Sequence, residues 1–164
     1  MSDTDETGGF VPPTPDPALK RLDFLVGTWE VEGVTEEGPA GPAGTVSTTE
    51  TYEWLDGGFF LVHHWNGTMD IGGMAMADTG YEFFDCDEAT GHYRARFFNN
   101  FGPYDNEGSV YTGTFDNDDV LAITGPARRT FRVNDDGTIS ANSEMPAGDG
   151  TFVPFMTSTM TRTG

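Results

Sequence analysis

The chain has 164 residues, the size of one ordinary domain, and a formal net charge of −19 from 27 acidic and 8 basic residues. Lys20 is its only lysine. Proteins that bind nucleic acid or anionic membranes need clusters of Lys and Arg, so this balance excludes both partners. Acidic, lysine-poor surfaces are typical of proteins that stay hydrated in molar salt, which indicates a halophilic source, with an ordinary acidic protein as the alternative.

The cellular compartment and the absence of a metal are predicted from sequence features that this chain lacks. Cys86 is the only cysteine, so no intramolecular disulfide can form. The N-terminus lacks the basic and apolar regions of a secretory signal, and no apolar run is long enough to cross a membrane, so we expect a cytoplasmic protein. Five acidic residues, Asp70, Asp78, Asp85, Asp87 and Glu88, do not follow a calcium-loop pattern. They are interpreted as solvated turns, and no metal is expected.

The chain divides into a tail and one domain. Residues 1–15 are acidic and rich in Pro and Gly, which predicts a disordered acidic tail, and residues 16–164 form the domain. A short N-terminal helix is predicted next, because Asp16 is a good N-cap, Pro17 suits the first helical position, and three leucines follow at helical spacing. These are Leu19, Leu22 and Leu25.

Everything after this helix reads as short strands separated by turn residues. We predict about ten strands, at 28–34, 46–55, 59–66, 74–84, 92–99, 108–115, 120–124, 128–134, 138–145 and 152–162. Sequential hairpins imply an up-and-down order, and closing the sheet removes its two exposed edges. The expected fold is therefore all-β, a single antiparallel up-and-down β-barrel with one short N-terminal helix.

Several segments resemble known barrel families. The run Leu22-Asp-Phe-Leu-Val-Gly-Thr-Trp-Glu-Val-Glu-Gly33 is similar to the opening of calycin-like, lipocalin-like barrels. Together with Trp54-Leu-Asp-Gly-Gly-Phe-Phe-Leu61, Gly80-Tyr-Glu-Phe-Phe-Asp85 and Met160-Thr-Arg162, it resembles the DUF1579 family, which has no agreed activity. The resemblance to lipocalin-like barrels implies that Trp29 and Arg162 stack at the closed end in a structural role.

The same opening also resembles nitrobindin-type haem barrels, whose iron-binding histidine lies late in the chain. The histidines here are His63, His64 and His92, and none lies in the last seventy residues. Haem is therefore disfavoured, and no cofactor is expected.

His63 and His64 are the candidate catalytic residues. They are adjacent in one strand, so alternation sends them to opposite faces, and the more apolar inward set contains Leu61, His63 and Trp65. A histidine on that face could contact a ligand or act as a general base, and the alternative is a hydrogen-bonded core residue.

The arginines raise a second question of facing. His92, Arg94 and Arg96 share one face of their strand, with Tyr93, Ala95 and Phe97 on the other. Paired with strand-borne acids, these arginines would form either a polar floor inside the barrel or salt bridges on its outside, and both interpretations stay open. The acids are Glu50, Glu53, Glu82 and Glu144. For the cluster Arg128, Arg129 and Arg132, pairing with nearby acids is favoured over an anion site.

Three functions are compatible with these patterns. The leading hypothesis is a non-catalytic barrel that binds a small, partly apolar molecule. Its expected lining consists of Trp54, His63, Trp65, Tyr81, Arg94 and Arg96. The first alternative is an enzyme in which His63 or His64 exchanges a proton with an acid such as Glu53 or Glu144. The second is a filled barrel whose surface mediates self-association, for example as a homodimer.

Overall fold

The computed structural model describes residues 9–102 and 110–164, and these form a closed barrel of ten antiparallel strands preceded by a 3₁₀ helix. Every strand pairs with its neighbours in sequence, and the last strand pairs with the first. This confirms the predicted all-β, up-and-down barrel. The helix spans Pro17–Leu25, and the strands are β1 (Gly27–Thr35), β2 (Gly44–Trp54), β3 (Leu61–Ile71), β4 (Met74–Asp87), β5 (His92–Asn99), β6 (Val110–Phe115), β7 (Leu121–Thr124), β8 (Arg128–Val133), β9 (Ile139–Pro146) and β10 (Phe152–Arg162).

The helix begins where the sequence predicts. The Asp16 carboxylate accepts a hydrogen bond from the backbone N–H of Ala18 at 2.8 Å, which satisfies one of the free donors of the first turn. The buried residues of the helix are Leu19, Leu22 and Leu25. The Tyr93 hydroxyl donates to the Ala18 carbonyl at 2.7 Å, so the helix lies across one end of the barrel, called here the closed end.

The first and last strands meet at this closed end. Trp29 on β1 lies opposite Arg162 on β10, and the guanidinium carbon of Arg162 lies 4.2 Å from the centroid of the Trp29 ring. The Arg162 guanidinium also donates to the carbonyls of Val26 and Phe24, which end the helix. One arginine thus joins helix, first strand and last strand.

The largest difference in strand bounds concerns β3, which continues to Ile71 rather than ending near residue 66. The predicted strand ends just before Gly67, but this glycine lies within the ladder. A Cβ at this position would collide with the Ser47 carbonyl of β2, so glycine permits a close approach of two paired strands.

The predicted tail is described only in part. Residues 1–8 lie outside the described residues, as does the start of the strand predicted at 108. Residues 9–15 form neither helix nor strand, and Phe10 and Val11 are exposed. Within the described ranges, no helix has the length and apolar character needed to cross a membrane.

The apolar core is concentrated at the closed end. Leu22, Leu25, Leu61, Phe84 and Leu121 are each fully buried there. The opposite end, called here the mouth, is formed by the connections that follow β1, β3, β7 and β9 and by residues 100–102 after β5. The core therefore fills one half of the barrel and leaves the other half available for a cavity.

Candidate functional site

A cavity of about 490 Å³ extends from the middle of the barrel to the loops at the mouth. Ala40, Phe101 and Pro126 contribute from those loops. Most of the wall is apolar and comes from inward residues of the strands. Examples are Val31, Val46, Met69, Met76, Phe97, Phe131, Met145 and Met156. A volume of this size is within the usual range for small-molecule sites.

Four side chains on four strands form a charged layer between this cavity and the apolar core. The charged layer consists of Glu50 on β2, His63 on β3, Glu82 on β4 and Arg129 on β8. His63 Nε2 lies 2.9 Å from Glu50 Oε2, and its Nδ1 lies 3.2 Å from Glu82 Oε2. Arg129 binds Glu82 with two hydrogen bonds, Nη1 to Oε1 at 2.5 Å and Nη2 to Oε2 at 3.2 Å.

Strand register explains why these groups meet. His63 lies opposite Tyr52 on one side and opposite Glu82 on the other, so all three side chains point to the same face of the sheet. The Tyr52 ring stacks on the His63 ring with centroids 4.0 Å apart, and the Tyr52 hydroxyl donates to Glu50 at 3.2 Å. The layer is therefore both hydrogen-bonded and packed.

The two carboxylates favour the protonated form of His63. Burial alone lowers the pKa of His63, but the neighbouring Glu50 and Glu82 more than offset this effect and raise its pKa above the ordinary value. Both ring nitrogens face carboxylate oxygens, and only an imidazolium can donate to both acceptors.

The acids of the layer stay ionised for a related reason. Burial tends to raise the pKa of Glu82, but the Arg129 guanidinium and His63 bring it down to about 2. For Glu50, burial is likewise outweighed by His63 and by hydrogen bonds from Thr48 and Tyr52, so its pKa is lowered. Burial tends to lower the pKa of Arg129, but the attraction of Glu82 outweighs this effect, so the pKa is raised above its ordinary value.

Asp78 is a further acidic residue at the cavity wall, and its interpretation as a solvated turn residue was wrong. It lies within β4 and is only 8% exposed. Its Oδ1 accepts a hydrogen bond from Trp65 Nε1 at 2.8 Å. Burial raises the pKa of Asp78, and the nearby Glu50 adds to this effect. Asp78 falls within the strand predicted at 74–84, and alternation along β4 turns Asp78 and Glu82 to the same inward face.

Trp65 connects Asp78 to the aromatic wall. Its ring stacks on Phe97 with centroids 4.9 Å apart. Trp65 lies opposite Gly80, where a Cβ would collide with the indole ring, so the glycine provides the space for this ring to lie against β4.

Two of the six predicted lining residues, His63 and Trp65, contact the cavity. Trp54 instead packs against the core at the closed end, where its Nε1 donates to Asp23 at 2.8 Å. It is thus separated from the cavity by the charged layer.

Tyr81, Arg94 and Arg96 lie on the outer face, away from the cavity. The inward face of β5 is the apolar one with Tyr93, Ala95 and Phe97, so the arginines alternate outward. Arg94 binds Asp85 through two hydrogen bonds of 2.8 and 2.7 Å. The interpretation of these arginines as outer salt-bridging residues is therefore the one that fits Arg94, while Arg96 is exposed.

The second candidate histidine also faces outward. The rings of His64 and Tyr81 lie 4.5 Å apart on the outer surface. The two acids predicted as proton partners do not line the cavity either. Glu53 is exposed, and Glu144 accepts a hydrogen bond from Arg128 at 2.7 Å.

Sequence patterns did not single out Arg129 or Asp78 as site residues. A usable signal existed for Arg129, because it alternates with Arg128 and shares a face with Phe131, an apolar residue expected inside. Across residues 9–102 and 110–164, no three His, Cys, Asp or Glu side chains are grouped so as to hold a metal ion.

The comparisons with known proteins agree with the fold. The crystal structure of Rv2717c from M. tuberculosis superimposes with a TM-score of 0.64 and 16% sequence identity, covering 92% of this chain and 99% of that one. At this identity the likeness concerns the fold alone. No match was found among curated proteins. The family described as "Protein of unknown function (DUF1579)" matches residues 14–162, nearly the whole sequence, and the chain therefore belongs to the DUF1579 family.

Proposed function

We propose that this protein is a non-catalytic binder that holds a small, largely apolar molecule in the mouth half of its barrel. The observation that carries the proposal is the cavity of about 490 Å³, with an apolar wall and a charged layer as its floor. Flexible methionines such as Met69, Met76 and Met156 can adapt the wall to an apolar ligand. A barrel filled with side chains, one of the alternatives, would not have such a void.

The chemistry of His63 favours binding over catalysis. A general base needs a free nitrogen near neutral pH, whereas both nitrogens of His63 face carboxylates that stabilise its protonated form. The same engagement leaves no nitrogen to ligate a haem iron. His64 faces the outside, so it does not contact a molecule in the cavity.

The proposal is tested first by native mass spectrometry of protein purified from its own host, with a retained small molecule as the expected result. A second measurement uses the fluorescence of N-phenyl-1-naphthylamine, a neutral apolar dye. Ala141 lines the cavity, so Ala141→Trp fills part of the void and is expected to weaken dye binding about tenfold or more.

The matched control is Thr159→Trp, which places the same ring on the exposed outer face of β10 and is expected to leave dye binding unchanged. Equal dye binding by both variants, together with no retained molecule, would contradict the proposal. Circular dichroism and urea unfolding establish that both variants are folded.

A further inference from the structure

The wall of the cavity contains one carboxylate, Asp78, that makes no ion pair with a described residue. Asp78 lines the cavity and is more than nine-tenths buried. Its Oδ1 accepts the Trp65 indole N–H, but its Oδ2 accepts no hydrogen bond from any described residue. Among the described side chains, no Arg, Lys or His nitrogen lies within salt-bridge distance of it. A buried carboxylate of this kind favours a ligand that brings a positive charge.

The charges that surround the cavity also favour a positively charged ligand. The acids Glu50, Glu82 and Asp78 line or back the floor, against two cations, His63 and Arg129. With all five groups ionised, the floor and Asp78 together carry three negative and two positive charges, a net charge of −1, and a ligand cation would favour the ionised form of Asp78. Glu82 already binds Arg129 through two hydrogen bonds, so an anionic ligand would have to compete with an internal carboxylate and would meet Glu50 and Asp78.

The rings near Asp78 already have cationic groups against them. Trp65 donates to Asp78 and stacks on Phe97, while the His63 ring lies 5.0 Å from the Trp65 ring and the Arg129 guanidinium lies 5.9 Å from the Phe97 ring. What Asp78 itself offers a ligand cation is therefore a charge-assisted hydrogen bond. Met76, two residues before Asp78 on β4, continues the wall toward the mouth with an apolar surface.

We infer that the ligand is an amphipathic amine whose single ammonium group binds Asp78 beside Trp65 and Phe97 and whose apolar part extends toward the mouth. This inference rests on the proposed function, since it requires that the cavity binds a small molecule. It adds a charge requirement that cavity volume alone does not imply.

The test compares three probes of equal chain length, octylammonium, octanol and octanoate, by isothermal titration calorimetry at constant salt. Octylammonium is expected to bind about tenfold more tightly than octanol, with octanoate weakest. Asp78→Asn keeps the size of the side chain and its acceptor for Trp65 but removes the charge. It is expected to lower octylammonium affinity about tenfold and to leave octanol affinity unchanged.

Asp70→Asn is the matched control, because it removes the same charge from the outer face of β3 while retaining an acceptor for the Gly73 N–H. It is expected to change none of the three affinities. If octanol and the naphthylamine dye bind but octylammonium binds no better, or Asp78→Asn has no effect on it, the inference fails and the proposed function survives. If neither the dye nor any probe binds, both fail.

Discussion

The two ends of the barrel are built from the same ten strands but are packed differently: one contains the apolar core and the other a cavity. At the closed end, Leu22, Leu25, Phe84 and Leu121 are fully buried under the helix, and Arg162 covers Trp29. At the mouth, inward residues such as Met156 and Phe97 are only half-buried because they line a void. The charged layer separates the two halves.

This difference indicates that the packed core and the cavity occupy different halves of one sheet. We therefore expect stability to depend mainly on the closed end and the proposed ligand binding on the mouth. Close packing at the closed end offsets the loss of dispersion contacts around the void at the mouth. The charged layer is the boundary, since its ion pairs are too buried to be screened by solvent but lie at the edge of the cavity. Three predictions test this division, in order of expected effect.

The largest effect is expected from Arg129→Met, which leaves Glu82 buried without its main cationic partner. Breaking a buried ion pair in this way typically lowers the free energy of unfolding by about 3–5 kcal/mol. The double variant Glu82→Gln with Arg129→Met removes both charges and is expected to recover most of that loss. Urea unfolding at fixed salt concentration measures all three proteins.

Arg128 provides the control, being the adjacent arginine on the opposite face. Its pair with Glu144 is more than one-third exposed on the arginine side, and its guanidinium also lies over Phe152. Arg128→Met is expected to lower the free energy of unfolding much less than Arg129→Met, because its ion pair is exposed to solvent. Equal losses for the two arginines would mean that the charged layer is not a distinct buried boundary.

The second prediction compares one large apolar side chain from each half. Leu22→Ala removes a fully buried side chain at the closed end and is expected to cost about 2–5 kcal/mol, because it leaves a new cavity in a packed core. Met156→Ala enlarges a cavity that already exists and is expected to cost about 1 kcal/mol. A Met156→Ala loss as large as that of Leu22→Ala would show that the mouth is packed like the core.

The third prediction concerns pH and is the smallest. The pKa of His63 is raised above 6.5 in the folded state, so its contribution is fully present below pH 6.5 and is lost as pH rises through the folded value. The loss amounts to about 1.4 kcal/mol for each unit by which the pKa is raised. We therefore expect the wild-type melting temperature to fall above pH 6.5, and His63→Gln to abolish that dependence.

At acid pH, stability is expected to change with pH in the opposite direction. The pKa of Glu82 lies at about 2, below its ordinary 4.5, so its contribution is present above pH 4.5 and is lost as pH falls toward 2. Glu50 acts in the same direction, whereas the raised pKa of Asp78 opposes it. His64→Gln, on the outer face, is the control and should keep the wild-type profile above pH 6.5.

Sequence patterns predicted the fold better than the site. Strand alternation identified His63 and Trp65 as inward residues, because the inward set containing Leu61 is clearly the more apolar. The same alternation did not locate Asp78, since both faces of its strand carry apolar side chains and its burial depends on β3 lying alongside it. Arg94 and Arg96 were placed in the expected lining because both faces of β5 carry large side chains, and facing could not be chosen from that strand alone.

The sequence alone determined the strand order and the helix after Asp16, because these depend on local propensities and on closing a meander of hairpins. The stacking of Arg162 on Trp29 was implied by the resemblance of the sequence to lipocalin-like barrels. Only the tertiary structure decided which charges share the interior. Glu82 and Arg129 lie 47 residues apart and meet across the barrel, a distance in sequence over which alternation carries no information. Register and closure together set that contact, and with it the charge of the cavity floor.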